Sequence, residues 1–193
     1  MRVISGTYRS RILKSLKGLA LRPTSDRLRE TLFDVLGSSV ARSRFVDVFA
    51  GTGAVGIEAL SRGAAEVVFI ENHPPTVALI KENLESLGVR SGATVLGTGA
   101  LRGLETLAAK HKPGNPPFDF VFLDPPYAAA EEYERVLRFL GSSPILAPGS
   151  IVIAEHRKNL DLPSQVCSLS RFRMLKQGDA ALTFYRCTSA LQV

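Results

Sequence analysis

The chain has 193 residues, 45% of them hydrophobic and 22% charged, a length and balance that suit one well-packed domain and leave little room for two. No apolar run reaches the roughly 18 to 20 residues of a membrane span, and the first eleven residues, MRVISGTYRSR, lack the apolar centre of a secretory signal, so a cytoplasmic location is expected. The formal net charge of +6 is concentrated at one end: Arg2, Arg9, Arg11, Lys14, Lys17, Arg22, Arg27 and Arg29 stand against Asp26 and Glu30, and the rest of the chain balances.

A neutral body with a basic arm points to a polyanionic partner such as nucleic acid, because Lys and Arg displace condensed counterions from phosphates. A solvated tail that aids solubility is the competing reading, and composition does not choose between them. Cys167 and Cys187 lie in late apolar segments with no CxxC or histidine spacing around them, which suits two reduced, structural thiols. His73, His111 and His156 have no partner spacing that suggests a metal or catalysis, and each is expected in a loop or at the surface.

In chain order, residues 2–5 and 8–16 read as two short strands about Gly6-Thr7, a hairpin whose second strand projects Arg9 and Arg11 from one face. After Pro23, Thr24 or Ser25 caps a helix. Its Leu28, Leu32, Val35 and Leu36 recur at helical spacing until Gly37, with Arg27 and Arg29 expected on its solvated face. Residues 45–50 form a strand, and the glycine-rich turn after it opens a helix with Ile57, Ala59 and Leu60 that stops before Gly63. A strand over residues 66–71 leads to a helix over residues 75–87, with Val77, Ile80, Leu84 and Leu87 on one face. Residues 93–96 form a short strand. Leu101, Leu104, Leu107 and Ala108 mark the next helix, residues 118–123 a buried strand, and Tyr133, Val136, Leu137 and Leu140 another helix. Residues 150–155 make the fifth strand of this series. Such alternation specifies a parallel sheet with helices on its faces. Residues 165–175 and 180–187, about Gln177-Gly178-Asp179, read instead as an antiparallel pair added at the sheet edge.

Two stretches carry chemistry. Asp47-Val48-Phe49-Ala50-Gly51-Thr52-Gly53-Ala54-Val55-Gly56 places GxGxxG between a strand and a helix, and Glu71 ends the next strand 20 residues after Gly51, where an acid meets ribose hydroxyls. An adenosine-type ligand follows, and a dinucleotide-dependent dehydrogenase has nearly the same fingerprint. Asp47 tips the choice modestly towards S-adenosylmethionine. An acid three residues before the glycine turn would face the loop and could hold that ligand's ammonium, directly or through water, whereas a pyrophosphate has no use for the charge.

The second stretch is FDFVFLDPPY, residues 118–127, an apolar strand that ends in Asp124-Pro125-Pro126-Tyr127. Ligands of open α/β sheets bind outside the carboxyl ends of the strands, where Asp124 falls. The prolines stiffen the exit and donate no N–H, so a carboxylate, carbonyls and a ring face remain. These suit a planar amino group on an aromatic ring: two acceptors hold its hydrogens while its lone pair turns to an electrophile. A tight turn that merely ends a core strand is the bland alternative, and on motif statistics alone the commoner one.

Arg22-Pro23-Thr24…Asp26-Arg27…Arg29-Glu30-Thr31-Leu32-Phe33, then Asp47…Phe49-Ala50-Gly51-Thr52-Gly53-Ala54…Gly56…Glu58-Ala59-Leu60-Ser61-Arg62-Gly63-Ala64, then Asp124-Pro125-Pro126-Tyr127 together closely resemble the RsmD-type bacterial 16S rRNA guanine-N2 methyltransferases. The likeness runs from residue 1 to about residue 155, and more loosely onward through Gly178-Asp179. It implies a Rossmann-like class I S-adenosylmethionine-dependent methyltransferase. The expected sheet is mostly parallel and seven-stranded with C-terminal antiparallel strands. A small hairpin-and-helix extension over residues 1–40 would precede a catalytic domain over residues 41–193. The substrate would be one guanine of small-subunit rRNA in a partly assembled 30S particle, and the enzyme a monomer. Matched by position, Asp47, Gly51 and Gly53 flank the methionine part of the cofactor, with Phe49, Ala50 and Thr52 completing the loop. Glu71 holds the ribose and Asn72 lies beside the adenine. Asp124, Pro125, Pro126 and Tyr127 receive the flipped-out guanine. Related enzymes often carry Asp or Asn after the third strand to meet the adenine amino group; here Leu96-Gly97-Thr98-Gly99-Ala100 stands there, and either backbone near Gly99 and Ala100 or the Thr98 hydroxyl substitutes, or the cofactor is held more weakly. Arg2, Arg9, Arg11, Lys14 and Arg22 are the candidate RNA contacts. The same acid-proline-proline-aromatic motif fits an adenine-N6 or glutamine-amide methyltransferase, and an RNA-binding assembly factor that holds the cofactor without using it is a reading of another class.

Overall fold

β-Branched and aromatic runs form the strands of this protein. A computed structural model describes residues 1–15, 25–126 and 130–188, and the chain divides into two compact units, Met1–Gly99 and Ala100–Val193. Lys17, Arg22, Pro23, Thr24 and Tyr127 lie outside the described residues.

In the first unit, β1 (Arg44–Val48) pairs in parallel with β2 (Glu66–Glu71), Arg44 opposite Glu66, and β2 pairs in parallel with β3 (Ala93–Gly97), Val67 opposite Ala93. Phe45, Val46, Val48, Val67, Val68, Phe69 and Ile70 are buried, as strands covered on both faces require. Helix α1 (Asp26–Leu36) begins at Ser25, whose hydroxyl accepts the Leu28 N–H at 3.1 Å, and ends at Gly37 with φ +56°. Its buried face comprises Leu28, Arg29, Leu32, Phe33 and Leu36. Arg29 is thus a correction to the expected solvated face: it has no exposed surface. Helix α2 (Ala54–Ser61) leaves the glycine loop, and α3 (Pro74–Ser86) starts on two prolines that fix its first turn.

The N-terminal segment departs from the expected pair of strands. Among the described residues, one antiparallel bridge, Arg2 with Ile12, joins its two sides. The donors of a longer ladder are engaged elsewhere: the Ile4 and Ser5 N–H groups reach the Glu58 carboxylate at 2.8 and 3.0 Å, and those of Thr7 and Tyr8 reach the Ser61 carbonyl and hydroxyl. Arg9 consequently sits in a turn and shares no strand face with Arg11.

The second unit contains α4 (Ala100–Lys110), β4 (Phe120–Leu123), α5 (Ala130–Gly141), β5 (Ile151–Arg157), β6 (Gln165–Val166), β7 (Leu169–Gln177) and β8 (Ala180–Cys187). β4 and β5 are parallel, and β8, β7 and β6 follow as antiparallel neighbours. The single strand expected over residues 165–175 is broken at Cys167, which takes φ +50°, and Ser168 ties the break to the end of α5 by donating to the Gly141 carbonyl. The short β6 makes eight strands among the described residues, against the seven expected. His156 is a further correction. It is buried in β5, bonded to the Thr183 hydroxyl at 2.7 Å and the Arg157 carbonyl at 2.8 Å, with its ring edge-on to Tyr133. Burial lowers its pKa. Both thiols are free; Cys187 is buried, whereas Cys167 is exposed at the break.

Candidate active site

The glycine loop is built at the carboxyl end of β1. Phe49 takes φ +62°, Gly51 +53° and Gly53 +77°, so the chain reverses through three left-handed residues, one of them non-glycine. Each glycine has its own reason. Among the described residues, a Cβ on Gly51 would have only the Phe49 carbonyl near it, at 3.9 Å, which leaves the backbone there open to a ligand. A Cβ on Gly53 would meet Ile80 at 3.3 Å, and one on Gly56 would lie 2.3 Å from the Phe69 ring, because α2 packs its backbone directly on β2. Ala50 and Thr52 are buried beneath the turn, and the Gly53 N–H closes it on the Ala50 carbonyl at 2.7 Å.

Two carboxylates frame this loop. Glu71, at the end of β2, accepts the Gly51 N–H at 2.9 Å through one oxygen and the Asn72 and His73 N–H groups at 2.9 Å through the other. It therefore lies at the lip of the glycine turn, where ribose hydroxyls are expected, with exposed Asn72 beside it. Asp47 is buried and accepts the Gly56 N–H at 2.8 Å, which anchors the first turn of α2. Burial pushes its pKa up to about 8, the Gly56 hydrogen bond pulls it down, and the Glu71 charge adds a smaller upward push. An acid held this way gains from any cation brought to it. After β3, Gly99 is exposed, a Cβ there would meet none of the described residues within 4 Å, and Ala100 begins α4, buried.

In the second unit, β4 is buried throughout and ends at Leu123. Asp124 follows, half-buried, then Pro125 buried and Pro126 exposed. The acid thus stands at the carboxyl tip of its strand.

Of the basic candidates, Arg2, Arg9, Arg11 and Lys14 are exposed. The Arg11 guanidinium donates to the Ser86 carbonyl at 2.9 Å and Lys14 pairs with Glu82 at 3.1 Å, both on α3. What sequence reasoning missed is the device that seats this arm. Besides Ile4 and Ser5, the buried Glu58 carboxylate accepts Arg62 Nε at 2.8 Å and lies 3.8 Å from Arg29 Nε. Arg29 also donates to the Arg2 carbonyl at 2.6 Å and to Asp26 at 3.0 Å. Asn83 of α3 accepts the Lys14 N–H at 2.8 Å and donates to the carbonyls of Lys14 and Thr52. Gly6 approaches so closely that a Cβ would sit 1.8 Å from the Ser61 carbonyl oxygen. A signal was present: Arg29 shares the helical spacing of Leu32, Phe33 and Leu36, and Glu58 stands alone in the apolar run of α2.

The family described as conserved hypothetical protein 95 matches residues 1–186. Ribosomal RNA small subunit methyltransferase D of Haemophilus influenzae is 34% identical over 187 residues, covering 96% of this chain and 92% of that protein. The solved structure of yhhF from Escherichia coli superposes with a TM-score of 0.83 at 32% identity, covering 98% of each chain. An RNA methyltransferase from Salinibacter ruber, solved in complex with S-adenosyl-L-homocysteine, shares the fold at a TM-score of 0.61 and 15% identity, covering 88% of this chain and 95% of that one. The fold is that of S-adenosylmethionine-dependent methyltransferases.

Proposed function

Because the chain belongs to the RsmD family, described as conserved hypothetical protein 95, we propose that it methylates ribosomal RNA with S-adenosylmethionine, and more finely that it modifies the exocyclic N2 of one guanine in 16S rRNA. The observation that carries the reading is Asp124-Pro125-Pro126 at the carboxyl end of a buried strand. Residues 41–193 form the methyltransferase part and residues 1–40 the RNA-facing extension, in a monomer acting on partly assembled 30S particles in the cytoplasm.

The residues of the glycine loop fit the cofactor. The open side of Gly51 admits the methionine part beside Phe49, Ala50, Thr52 and Gly53, Glu71 takes the ribose, and Asn72, Gly99 and Ala100 take the adenine. Asp47, buried and largely uncompensated, suits the ligand's ammonium. When bound, the cofactor supplies an electrophilic methyl group on a sulfonium. Asp124 and the Pro125 carbonyl accept the two amino hydrogens of the guanine, which turns the nitrogen lone pair to the methyl carbon, and Tyr127 stacks on the base. Methyl transfer would exchange the cofactor's C–S bond for the new N–C bond. The methylated nitrogen is then acidic enough to lose its proton readily, so Asp124 serves in orientation and charge stabilisation more than as a strong base.

Asp124→Ala should lower methyl transfer by roughly 100-fold or more while leaving cofactor binding intact, measured with labelled S-adenosylmethionine on 30S particles, naked rRNA, DNA and protein in parallel. Wild-type turnover in the variant would sink the assignment of Asp124, and label in DNA or protein alone would sink the substrate.

A further inference from the structure

Ile12 is 81% exposed, far more than the other exposed large hydrophobic residue among those described, Phe172. Single apolar residues at a surface are ordinary, but the setting of this one is not that of a loose loop. Its neighbour Leu13 is 3% exposed and donates its N–H to the Met1 carbonyl at 3.1 Å, and the Lys14 N–H is held by Asn83. On its other side, the Arg11 carbonyl accepts the Val3 N–H at 3.0 Å, and the Arg11 guanidinium is tied to Ser86. The backbone about Ile12 is pinned on both sides. Alternation along the ribbon then sends Val3 and Leu13 inward and Ile12 outward.

Across the bridge, Ile12 stands opposite Arg2, and directly paired residues of an antiparallel bridge project from the same face. Exposed Arg2 is thus its companion, and exposed Arg9 and Lys14 flank the ribbon. No ion pair engages the Arg2 or Arg9 side chain among the described residues. An apolar tip framed by cations is complementary to nucleic acid, where phosphates meet the charges and unstacked bases offer apolar faces.

We propose that Ile12 is an apolar contact for the RNA, packing against an unstacked base step while Arg2 meets the adjoining phosphate. The inference rests on the reading of this protein as an rRNA methyltransferase. It deepens that reading by naming an apolar group of the arm that would meet unstacked base faces of the rRNA substrate.

The test compares Ile12→Ser, Ile12→Leu and Arg2→Ala in the full-length protein, by salt-dependent binding to 30S particles and by methyl transfer. Ile12→Ser should weaken binding about tenfold with the salt slope unchanged, and Ile12→Leu should restore most of the loss. Arg2→Ala should reduce the slope by about 0.7 to 0.9. Because Ile12 is exposed, Tm and cofactor affinity should not move. Wild-type RNA affinity and turnover in Ile12→Ser, beside a weakened Arg2→Ala, would overturn the Ile12 contact and leave the rRNA reading standing. A wild-type protein that binds cofactor but neither binds nor methylates any rRNA would overturn both.

Discussion

The glycine loop and the N-terminal arm are two segments of the first unit, each fastened by a buried carboxylate, in opposite company. Under the loop, Asp47 accepts one backbone N–H from Gly56, and burial drives its pKa to about 8. Beneath the arm, Glu58 accepts two backbone N–H groups and the Arg62 guanidinium, and has Arg29 within 3.8 Å. A buried acid surrounded by donors and cations is structural, because its desolvation is offset within the protein. One left with little compensation is poised for a ligand. The difference separates a clamp from the proposed cofactor site although both acids are inaccessible to solvent.

Removing the compensated acid should have the largest effect. Glu58→Ala takes from buried Arg29 one of its two carboxylate partners, leaves Arg62 without its own, and releases the Ile4 and Ser5 N–H groups, a loss of about 3–5 kcal/mol, or a fall in Tm of roughly 10 °C. Scanning calorimetry together with rRNA binding should show the arm's contribution vanish; an unchanged Tm would end the distinction between the two acids. Gly56→Ala probes the loop from the other side. Its Cβ would meet Phe69 at 2.3 Å and Val67 at 2.9 Å, so overpacking should destabilise by about 1–3 kcal/mol and weaken cofactor binding, as urea titration and calorimetry would register.

Asp47→Asn acts in the other direction, and the size of its effect depends on pH. In the folded protein Asp47 keeps its proton up to about pH 8, whereas the unfolded chain releases it near the ordinary aspartate value of 3.8. The associated stability is fully present below the lower value and is lost as pH rises to the upper one, by at most about 1.4 kcal/mol per pH unit. Asn carries no such penalty. The Tm of Asp47→Asn relative to wild type should therefore climb between pH 4 and 8 and level off above, while its affinity for S-adenosylmethionine falls. A pH-independent difference in Tm would show that Asp47 is already compensated.

Much of the fold was legible because its rules are local. β2 runs over the expected residues, Ser25 caps α1, and the helices after residue 50 fall within about three residues of their periodic patterns. The glycine loop was legible for the same reason, since left-handed turns and close backbone approach select glycine by position. The arm was misread because strand propensity in residues 2–16 says nothing of where the N–H groups go, and Glu58 and Ser61 take them. His156 was misplaced because one buried hydroxyl, Thr183, makes the interior tolerable for a ring that sequence alone assigns to the surface. The break at Cys167 depends on the Gly141 carbonyl at the end of α5, invisible from the apolar pattern around it.

The sequence by itself determined the alternation of strands and helices, the turn at Gly51, the acid at the end of β2 and the acid-proline-proline at the end of β4, since each follows from periodicity or the stereochemistry of a few consecutive residues. Only the tertiary structure decided which charges are buried and which are presented. Glu58 meets Ile4 and Ser5 across 54 and 53 residues of chain, and the cost of burying a charge is set by partners that folding alone brings together.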